Sequence, residues 1–388
     1  MRTPYYINDE PERLGKGGNM KVLWICNIMI PAIARQLGVS YSYREGWLSG
    51  LLERVAQEKG RNRIELGIAF PVEESMGNFQ RNMQLGESSS CRCYGFTENL
   101  DTPEIYDTAL EGRFQEVLQD FEPDIVHIFG TEFPHTLACV RVFGQPEKTV
   151  ISIQGLCSCI AEEYMADLPV KVQRQVTLRD RIRKDSLKQQ QKKFKKRGEH
   201  EKEALRMTGH IAGRTDFDRT QAAKINPSAK YHYLNETLRS IFYHDRWKRT
   251  SCQPYRIFVS QGDYPLKGLH YLLQAMPKVL ERFPETHIYV AGSNIIDKAT
   301  WKERMKLSAY GKYLRKLIKE KHLTDKVTML GRLSAEEMKA QFLQSHLFVL
   351  PSALENSPNS LGEAMLLGVP CVAADVGGVH NLLTDGGD

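Results

Sequence analysis

Two glutamates near the end of the chain, Glu355 and Glu363, stand eight positions apart around a turn of Asn, Ser and Pro residues. The apolar run Leu347–Leu350 precedes this turn, and a helical pattern over 359–367 follows it. A strand, a polar turn and a helix in this order aim the free N–H groups of the helix at an anion. Glu355 would face the substituents of that anion, and Glu363, one turn into the helix, would bind two neighbouring hydroxyls. A diphosphate between a ribose and a sugar has this layout, so the segment predicts a nucleotide-sugar ligand.

A second segment supplies positive charge. A predicted strand ends at Ser260, and after a polar turn Lys267 stands directly before Gly268, which opens a predicted helix. An ammonium group at this point can neutralise a departing diphosphate. An ordinary surface role remains the alternative for both segments, because helix starts favour acids such as Glu355 and only mildly disfavour a lysine.

The spacing of the two glutamates closely resembles the signature of the retaining family-4 glycosyltransferases (glycosyl transferases group 1) of the GT-B fold. Pro358 lies between the glutamates, and Gly-Val-Pro-Cys-Val-Ala-Ala follows them from Gly368, as in that family. The resemblance implies that Glu355 contacts the donor sugar and that Glu363 holds the ribose. It also implies that the residues opening the helix present their backbone N–H groups to the diphosphate, namely Asn359, Ser360 and Leu361.

Two of the expected donor-binding positions depart from the pattern of the family. Family members usually carry an arginine six residues before the lysine that matches Lys267, and this chain has Gln261 there. An amide can hydrogen-bond a phosphate oxygen but brings no charge. Either another cation such as Arg332 acts in its place, or the site works with one charge. The family often places a sugar-binding histidine where Gln154 stands, and Gln154 can bind a hydroxyl but cannot titrate.

Weaker matches lie elsewhere in the chain. Gly46 matches one glycine of the family loop that approaches the donor phosphate, and Gly377 and Gly378 match the glycine pair that closes the nucleotide side. Asn381 stands where an acid usually follows that pair. His127, at the end of a predicted strand, is expected to line the cleft as a catalytic residue, and a satisfied core histidine is the alternative.

Short β-type runs alternate with longer amphipathic runs through both halves of the chain, which predicts parallel sheets covered by helices. The 388 residues, 41% hydrophobic and 26% charged, favour two domains. We therefore expect the GT-B fold, an α/β fold in which two Rossmann-like, doubly wound parallel-sheet domains face a cleft that holds the ligand. Polar loops at 213–218 and 235–239 follow short strands and are expected to face this cleft.

The expected domains have different roles. Residues 1–19 form a flexible lead-in, 20–245 an acceptor-side domain, and 246–388 a nucleotide-sugar-binding domain that ends earlier than in the family. Within the first domain, 171–206 carries 14 Lys/Arg against 5 Asp/Glu and has a loose helical phase. This segment is either a long solvated helical excursion or a basic face for an anionic membrane or a lipid phosphate. It lacks the interleaved aromatic residues of a nucleic-acid-binding module, so no nucleic acid is expected.

The sequence favours a reduced compartment and no metal. Its eight cysteines lack the spacing of a zinc site, and free cysteines in apolar runs act as small hydrophobic residues. No run approaches the roughly 20 apolar residues that cross a bilayer, and the first residues carry no apolar signal core. We expect a cytoplasmic protein, with a peripheral position at the inner face of the membrane as the alternative.

The resemblance implies a reaction as well as a fold. A sugar would pass from a UDP- or GDP-sugar to an acceptor hydroxyl of a glycan or glycolipid with retention, and the leaving phosphate would take the acceptor proton. The alternative is a catalytically inactive sugar-nucleotide-binding protein or fragment, which Gln261, Gln154 and the early end of the chain favour. An epimerase of the same shape would need catalytic acids in the first half, and none stands out in the sequence.

Overall fold

Two parallel sheets with helices on their faces form two lobes, as the alternating pattern predicts. We describe the protein from a computed structural model, which covers residues 19–40, 46–57, 64–85, 90–296, 300, 303, 305–384 and 386. The strands of the first lobe are β1 (Met20–Ile25), β2 (Ile64–Val72), β3 (Phe79–Gln84), β4 (Ser90–Thr97), β5 (Ile125–Phe129), β6 (Thr149–Ser152), β7 (His210–Gly213) and β8 (Lys230–Tyr233). Those of the second lobe are β9 (Arg256–Val259), β10 (His287–Ala291), β11 (Val327–Gly331), β12 (Leu347–Leu350) and β13 (Cys371–Ala373).

Helices cover both sheets. In the first lobe they are α1 (Pro31–Leu37), α2 (Gly46–Gln57), α3 (Ala109–Phe121), α4 (Pro134–Phe143), α5 (Cys157–Glu163), α6 (Val170–Gln173), α7 (Leu178–Arg183), α8 (Leu187–Arg206) and α9 (Asp216–Ile225). In the second lobe they are α10 (Leu269–Arg282), α11 (Ala309–Glu320), α12 (Ala335–Gln344) and α13 (Asn359–Leu367). Short 3-10 turns lie at Glu74–Met76, Pro146–Lys148, Ser240–Tyr243, Pro265–Lys267 and Val379–Asn381. Among the described residues, no helix combines the length and the apolar character that a bilayer crossing demands.

The strand order of the second sheet places the loops that carry Lys267 and Glu355 next to each other. The second sheet runs β11-β10-β9-β12-β13, and its order reverses between β9 and β12, which pair in parallel through Phe258 and Phe348. The first sheet, β3-β4-β2-β1-β5-β6-β7-β8, reverses between β1 and β5. Loops that leave adjacent strands at such a reversal diverge and open a crevice for a ligand. The segments that carry Lys267 and Glu355 follow β9 and β12, so they lie at this crevice.

The sequence did not predict the antiparallel edge strand β3, which pairs with β4. Of its six residues only Met83 is buried, and the other positions are polar or half-exposed, so the strand lacks the apolar alternation that marks a sheet. Arg81 on this exposed edge has the charge that discourages pairing with another chain. The lead-in expected before β1 and the residues just before Gly46 lie outside the described residues.

The basic segment 171–206 is not one long helix, which corrects the predicted excursion. The Thr177 and Asp180 side chains accept hydrogen bonds from each other's backbone N–H groups and begin α7 there. Gln189 Oε1 accepts a hydrogen bond from the Ser186 N–H at 3.0 Å at the start of α8. These polar residues satisfy the free N–H groups of new helix ends, so the chain breaks into α6, α7 and α8.

The segment 164–187, which we call the strap, crosses from the first lobe to the second. Its apolar side chains join the core beneath α10 and α11, among them Leu168 and Val172. The His270 Nε2–H donates to the Ala166 carbonyl at 2.8 Å, and Tyr271 donates to Asp167 at 2.9 Å. Ala166 and Asp167 have φ of 43° and 52°, an unfavourable left-handed conformation that these contacts hold in place.

Lys184 provides a test of backbone strain in the strap. Lys184 ends α7 with φ of 53°, a conformation that glycine adopts without strain, so Lys184→Gly is expected to stabilise the protein by about 0.5 kcal/mol. The control Lys192→Gly replaces an exposed residue inside α8 and should cost about 1 kcal/mol. Thermal unfolding midpoints compare the two, and equal losses would contradict the assignment of strain to Lys184.

Candidate active site

Two cavities meet at Lys267. The first, of about 500 Å³, lies between the loop after β9, the start of α13 and the connection between the lobes. The second, of about 380 Å³, lies between the loop after β6 and the loop after β12. Lys267 lines both cavities, and several other predicted residues each line one of them. The first cavity contains Gln261, Asn359, Ser360 and Glu363, and the second contains Gln154 and Glu355.

Lys267 is held by an ion pair with the predicted sugar-binding acid. Its Nζ lies 2.6 Å from Glu355 Oε1, which also accepts a hydrogen bond of 2.6 Å from the Ser352 hydroxyl. Burial alone would lower the pKa of Lys267, but attraction to Glu355 and Tyr264 outweighs it and raises the pKa. The ammonium group therefore keeps its charge at neutral pH, at the boundary that the two cavities share.

Three glycines allow other backbone segments to clasp the loop after β12. Gly268 has φ of 66°, and a Cβ there would lie 1.7 Å from the Pro351 carbonyl oxygen. Gly377 has φ of 55°, and its Cβ would lie 1.9 Å from the Glu355 carbonyl oxygen, while a Cβ on Gly378 would lie 2.1 Å from the Asn356 oxygen. None of the three is among the residues that line the two cavities. The Gly378 N–H donates to the Glu355 carbonyl at 3.1 Å, and these close approaches hold the loop that carries Glu355 in place.

The start of α13 faces the first cavity. Pro358 precedes the helix, and no side chain of a described residue caps it. Asn359 and Ser360 line the cavity, and the backbone N–H groups of a first turn attract anions. Leu361 differs from its prediction, because its side chain is fully buried in the core and its N–H donates to the Pro358 carbonyl at 3.0 Å.

The predicted ribose-binding acid is already paired. Arg239 Nε and Nη2 each lie 2.7 Å from an oxygen of the buried Glu363 carboxylate. Burial raises the pKa of Glu363, and the Arg239 guanidinium opposes this shift. Both residues line the first cavity. The sequence predicted that the loop 235–239 faces the cleft but did not predict this pair, since Arg239 lies 124 positions from its partner.

Gln261 occupies the first cavity without bringing a charge to it. Its side-chain amide donates to Asp263 Oδ1 at 3.0 Å, and Asp263 Oδ2 accepts from the Ser293 N–H at 3.2 Å. Arg332, the replacement cation considered from the sequence, lines this cavity and is exposed. Its Nε lies 3.4 Å from the Ser293 hydroxyl.

A chain of polar contacts joins the two lobes beside the second cavity. The Asn356 side chain donates to the Gln154 carbonyl at 3.1 Å, and the Gln154 side chain donates to Glu236 at 2.5 Å. Glu236 pairs with Arg214 at 2.7 Å, and Arg214 donates to Asn359 Oδ1 at 2.9 Å. The polar loops at 213–218 and 235–239 thus contact α13, through Arg214 at Asn359 and through Arg239 at Glu363. Asn381 adds a further link, with both amide atoms 3.0 Å from Asp216 groups.

Two predicted residues lie apart from the cavities. His127 lies within β5, with its Nε2 2.7 Å from the Ser152 hydroxyl and its ring 4.1 Å from that of Phe129, and it lines neither cavity. This environment matches the alternative of a satisfied core histidine. Gly46 begins α2, and its neighbour Trp47 lines the first cavity.

The first lobe also contains a buried polar cluster that the sequence reasoning missed. The His135 ring lies 2.6 Å from Glu98 and 3.0 Å from Asn27, and Asn27 donates to Glu132 at 3.1 Å. Asn27, Glu98 and Glu132 all follow the ends of strands, and that position was the signal available in the sequence. No group of three or more potential metal ligands occurs among the described residues.

Comparisons with known proteins concern mainly the second lobe. Residues 243–388 match the sequence profile of the family described as Glycosyl transferases group 1. An uncharacterized glycosyltransferase of Methanocaldococcus jannaschii is 30% identical over 127 residues, which are 33% of this chain and 28% of that protein. The α-D-kanosaminyltransferase of Streptomyces kanamyceticus is 30% identical over 120 residues, 31% of this chain and 28% of its own length. The matched segment thus spans less than a third of these relatives.

The likeness of the whole chain is structural. The sucrose-phosphate synthase of Thermosynechococcus elongatus superimposes with a TM-score of 0.60 at 14% identity, over 94% of this chain and 83% of that one. The predicted fold is confirmed: this is an α/β protein with two parallel-sheet domains, similar in structure to GT-B glycosyltransferases.

Gly268 tests the clasp around the loop after β12. Gly268→Ala places a methyl group against the Pro351 carbonyl in a left-handed conformation, so we expect a loss of about 2 kcal/mol or more. Gly112→Ala is the matched control, because Gly112 lies inside α3 with open space around it, and there alanine should stabilise by about 0.5–1 kcal/mol. Thermal unfolding of both variants checks the difference. A harmless Gly268→Ala would show that the close approach is not required.

The His127 environment predicts a pH dependence of stability. Burial lowers the pKa of His127 to about 4, whereas an unfolded histidine titrates near 6.5. The unfolded chain therefore binds a proton before the native state does, and stability falls as the pH drops from about 6.5 to 4. Between pH 7 and pH 5, the wild type should lose about 2 kcal/mol more stability than His127→Gln, as measured by urea unfolding. Equal pH dependence would contradict this, and a catalytic His127 would instead show a large loss of turnover in the variant.

Proposed function

We propose that this chain is a glycosyltransferase that moves a sugar from a nucleoside-diphosphate sugar to an acceptor hydroxyl with retention of anomeric configuration. The observation that carries the proposal is Lys267, a fixed cation at the point where two cavities meet at the strand reversal of the second sheet. The profile match over 243–388 and the names of the two relatives, both transferases of sugars, agree with this activity.

In this proposal the donor extends across both cavities. We place the nucleoside in the first cavity, with its ribose at Glu363, and the sugar in the second cavity, with a hydroxyl on Glu355 Oε2. The diphosphate then lies between Lys267 and the start of α13, where an ammonium group and free N–H groups can bind it. Lys267 and Glu355 hold each other in an ion pair and Glu363 lies within α13, so their positions are set before the donor binds.

The chemistry is a substitution at the anomeric carbon. The bond between this carbon and the diphosphate oxygen breaks, and the acceptor oxygen forms a bond on the same face of the sugar. The acceptor proton passes to the leaving phosphate, and Lys267 stabilises the charge that develops there. The bond between Asn356 and Gln154 closes the second cavity across the lobes, which would protect the donor from water.

The acceptor belongs to polysaccharide or glycolipid assembly in this proposal. The strap exposes Leu178 and Ile182 by 51% and 72% beside several arginines, a combination suited to an anionic lipid surface. Acceptor trials should therefore include glycolipids in anionic vesicles as well as free glycans. We place the protein in the cytoplasm, at or near the inner face of the membrane.

A sugar-nucleotide-binding protein without turnover is the second candidate. Two observations favour it: Gln261 brings no charge and is bonded to Asp263, and Arg239 covers Glu363. Both candidates predict nucleotide binding, so only turnover separates them.

Donor turnover is the test. We expect release of UDP or GDP from a nucleotide-sugar when an acceptor is present, and we expect Lys267→Met and Glu355→Gln each to lower kcat at least about tenfold, since each removes one member of the central ion pair. Coupled detection of the released nucleotide measures this. Arg92→Met, which removes an ion pair with Asp120 in the first lobe, is the control.

Two results would count against the transferase. Donor binding without nucleotide release, over a full panel of donors and acceptors, would favour the binding protein. Near wild-type rates in both the Lys267 and the Glu355 variants would refute the assigned site.

A further inference from the structure

We propose that Arg239 is a diphosphate-binding residue, and that nucleotide binding transfers its guanidinium from Glu363 to the phosphates. This inference rests on the proposed function, because it assumes a nucleoside diphosphate in the first cavity. It adds a residue outside the predicted site and a mechanism for selecting the charged donor.

The first step is a competition for one carboxylate. Both oxygens of Glu363 accept hydrogen bonds from Arg239, each at 2.7 Å, in the paired geometry that a guanidinium and a carboxylate prefer. A ribose diol would use the same two oxygens. The Glu363 side chain is only 4% exposed, so little of it is left for a second partner on another side. The ribose can therefore bind Glu363 only as Arg239 withdraws.

The second step concerns the destination of the guanidinium. Arg239 lines the same cavity as Lys267 and the start of α13, so a displaced guanidinium remains beside the expected phosphates. Its side chain is 25% exposed and lies over the Phe242 ring at 4.7 Å, which leaves it room to turn while its stem stays packed. Arginine forms paired hydrogen bonds with phosphate as readily as with carboxylate.

The third step is the charge that the cavity lacks. Gln261 is neutral and its amide is bonded to Asp263, so it brings no charge to the phosphates. Arg332 also lines the cavity, but Arg332 is exposed and no carboxylate among the described residues holds it. Arg239 differs from Arg332, because the ribose that binds Glu363 would release the Arg239 guanidinium from its carboxylate partner. A guanidinium freed inside a partly buried site needs a new anion, and the diphosphate provides one.

The exchange makes binding depend on the phosphates. A nucleoside alone would break the pair between Arg239 and Glu363 and leave Arg239 without a partner. A nucleoside diphosphate would break the same pair and then re-form two hydrogen bonds to the cation. The pair thus opposes nucleosides and favours nucleoside diphosphates, which is a specificity that neither residue would give alone.

Arg239→Met tests this through two ligands, of which only the diphosphate should bind more weakly. UDP, GDP and ADP and their nucleosides are titrated into folded wild type and variant by calorimetry. For the diphosphate that the wild type binds, we expect Arg239→Met to weaken binding about tenfold or more, while the matching nucleoside binds as well as or better than before. The diphosphate affinity of Arg239→Lys should lie between those of the wild type and Arg239→Met. Nucleoside binding to Arg239→Met should also rise with pH, because the buried Glu363 must ionise without its partner.

Arg332→Met is the matched control, since it removes another arginine of the same cavity. It should weaken the diphosphate less than about threefold and leave the nucleoside unchanged. Equal weakening of both ligands in Arg239→Met would show a structural role and overturn the inference, as would unchanged diphosphate binding. The inference would also be overturned if Arg332→Met, and not Arg239→Met, weakened diphosphate binding without weakening nucleoside binding.

A measurement on the wild-type protein also tests the exchange, and its result does not depend on whether a variant folds. The arginine Nε–H resonance of Arg239 should shift on addition of the diphosphate, with the chemical shift of a phosphate-bonded guanidinium, and an unchanged resonance at saturation would refute the exchange. If the folded wild type binds no nucleoside diphosphate, the proposed function fails and this inference fails with it. If the wild type binds and turns over the donor but the two ligands respond alike, only the role of Arg239 is lost.

Discussion

The ion pair between Lys267 and Glu355 is the interaction on which the rest of the site depends. It joins the loop after β9 to the loop after β12, across the reversal of strand order in the second sheet. A lysine this deep in a crevice keeps its charge only beside an anion, and Glu355 is that anion. The surrounding backbone is shaped to hold the pair, because Gly268, Gly377 and Gly378 approach the loop of Glu355 more closely than any side chain would permit.

Ion pairing has a cost for a site that is proposed to bind an anion. Every cation that is neutralised by a carboxylate is less available to a phosphate, and here Lys267 and Arg239 both have such partners. The two pairs differ in what a ligand can do to them. Glu355 is bonded to Lys267 through one oxygen, so in the proposed donor complex its other oxygen can accept from a sugar hydroxyl while that pair persists. Glu363 uses both oxygens on Arg239, so that pair would have to open for the proposed ribose contact to form.

The fold and much of the site follow from local patterns in the sequence. The buried run of β12, the turn after it and the helix from Asn359 were predicted at their observed positions, because apolar strands and helix starts have short-range signatures. Ser334 and Glu337 form a capping box that opens α12, and this motif also has a short-range signature. What the sequence could not show were contacts between distant segments. The partner of Glu363, the pairing of Gln154 with Glu236 and the cluster around His135 join residues that are 37 to 124 positions apart. The basic segment 171–206 departs from the expected single solvated helix because capping residues at Thr177 and Ser186 start new helices, and apolar side chains such as Val172 pack into the core of the second lobe.

The strap also constrains how the molecule can open. It is tied to α10 through Ala166 and Asp167 and to α11 through Asp180, so the lobes are joined at this edge as well as at the main connection between them. Separation along this edge would break buried packing and the bonds that hold a strained turn. The lobes should therefore rotate about a hinge at the strap. Large molecules would then enter and leave the cleft at the edge opposite the strap.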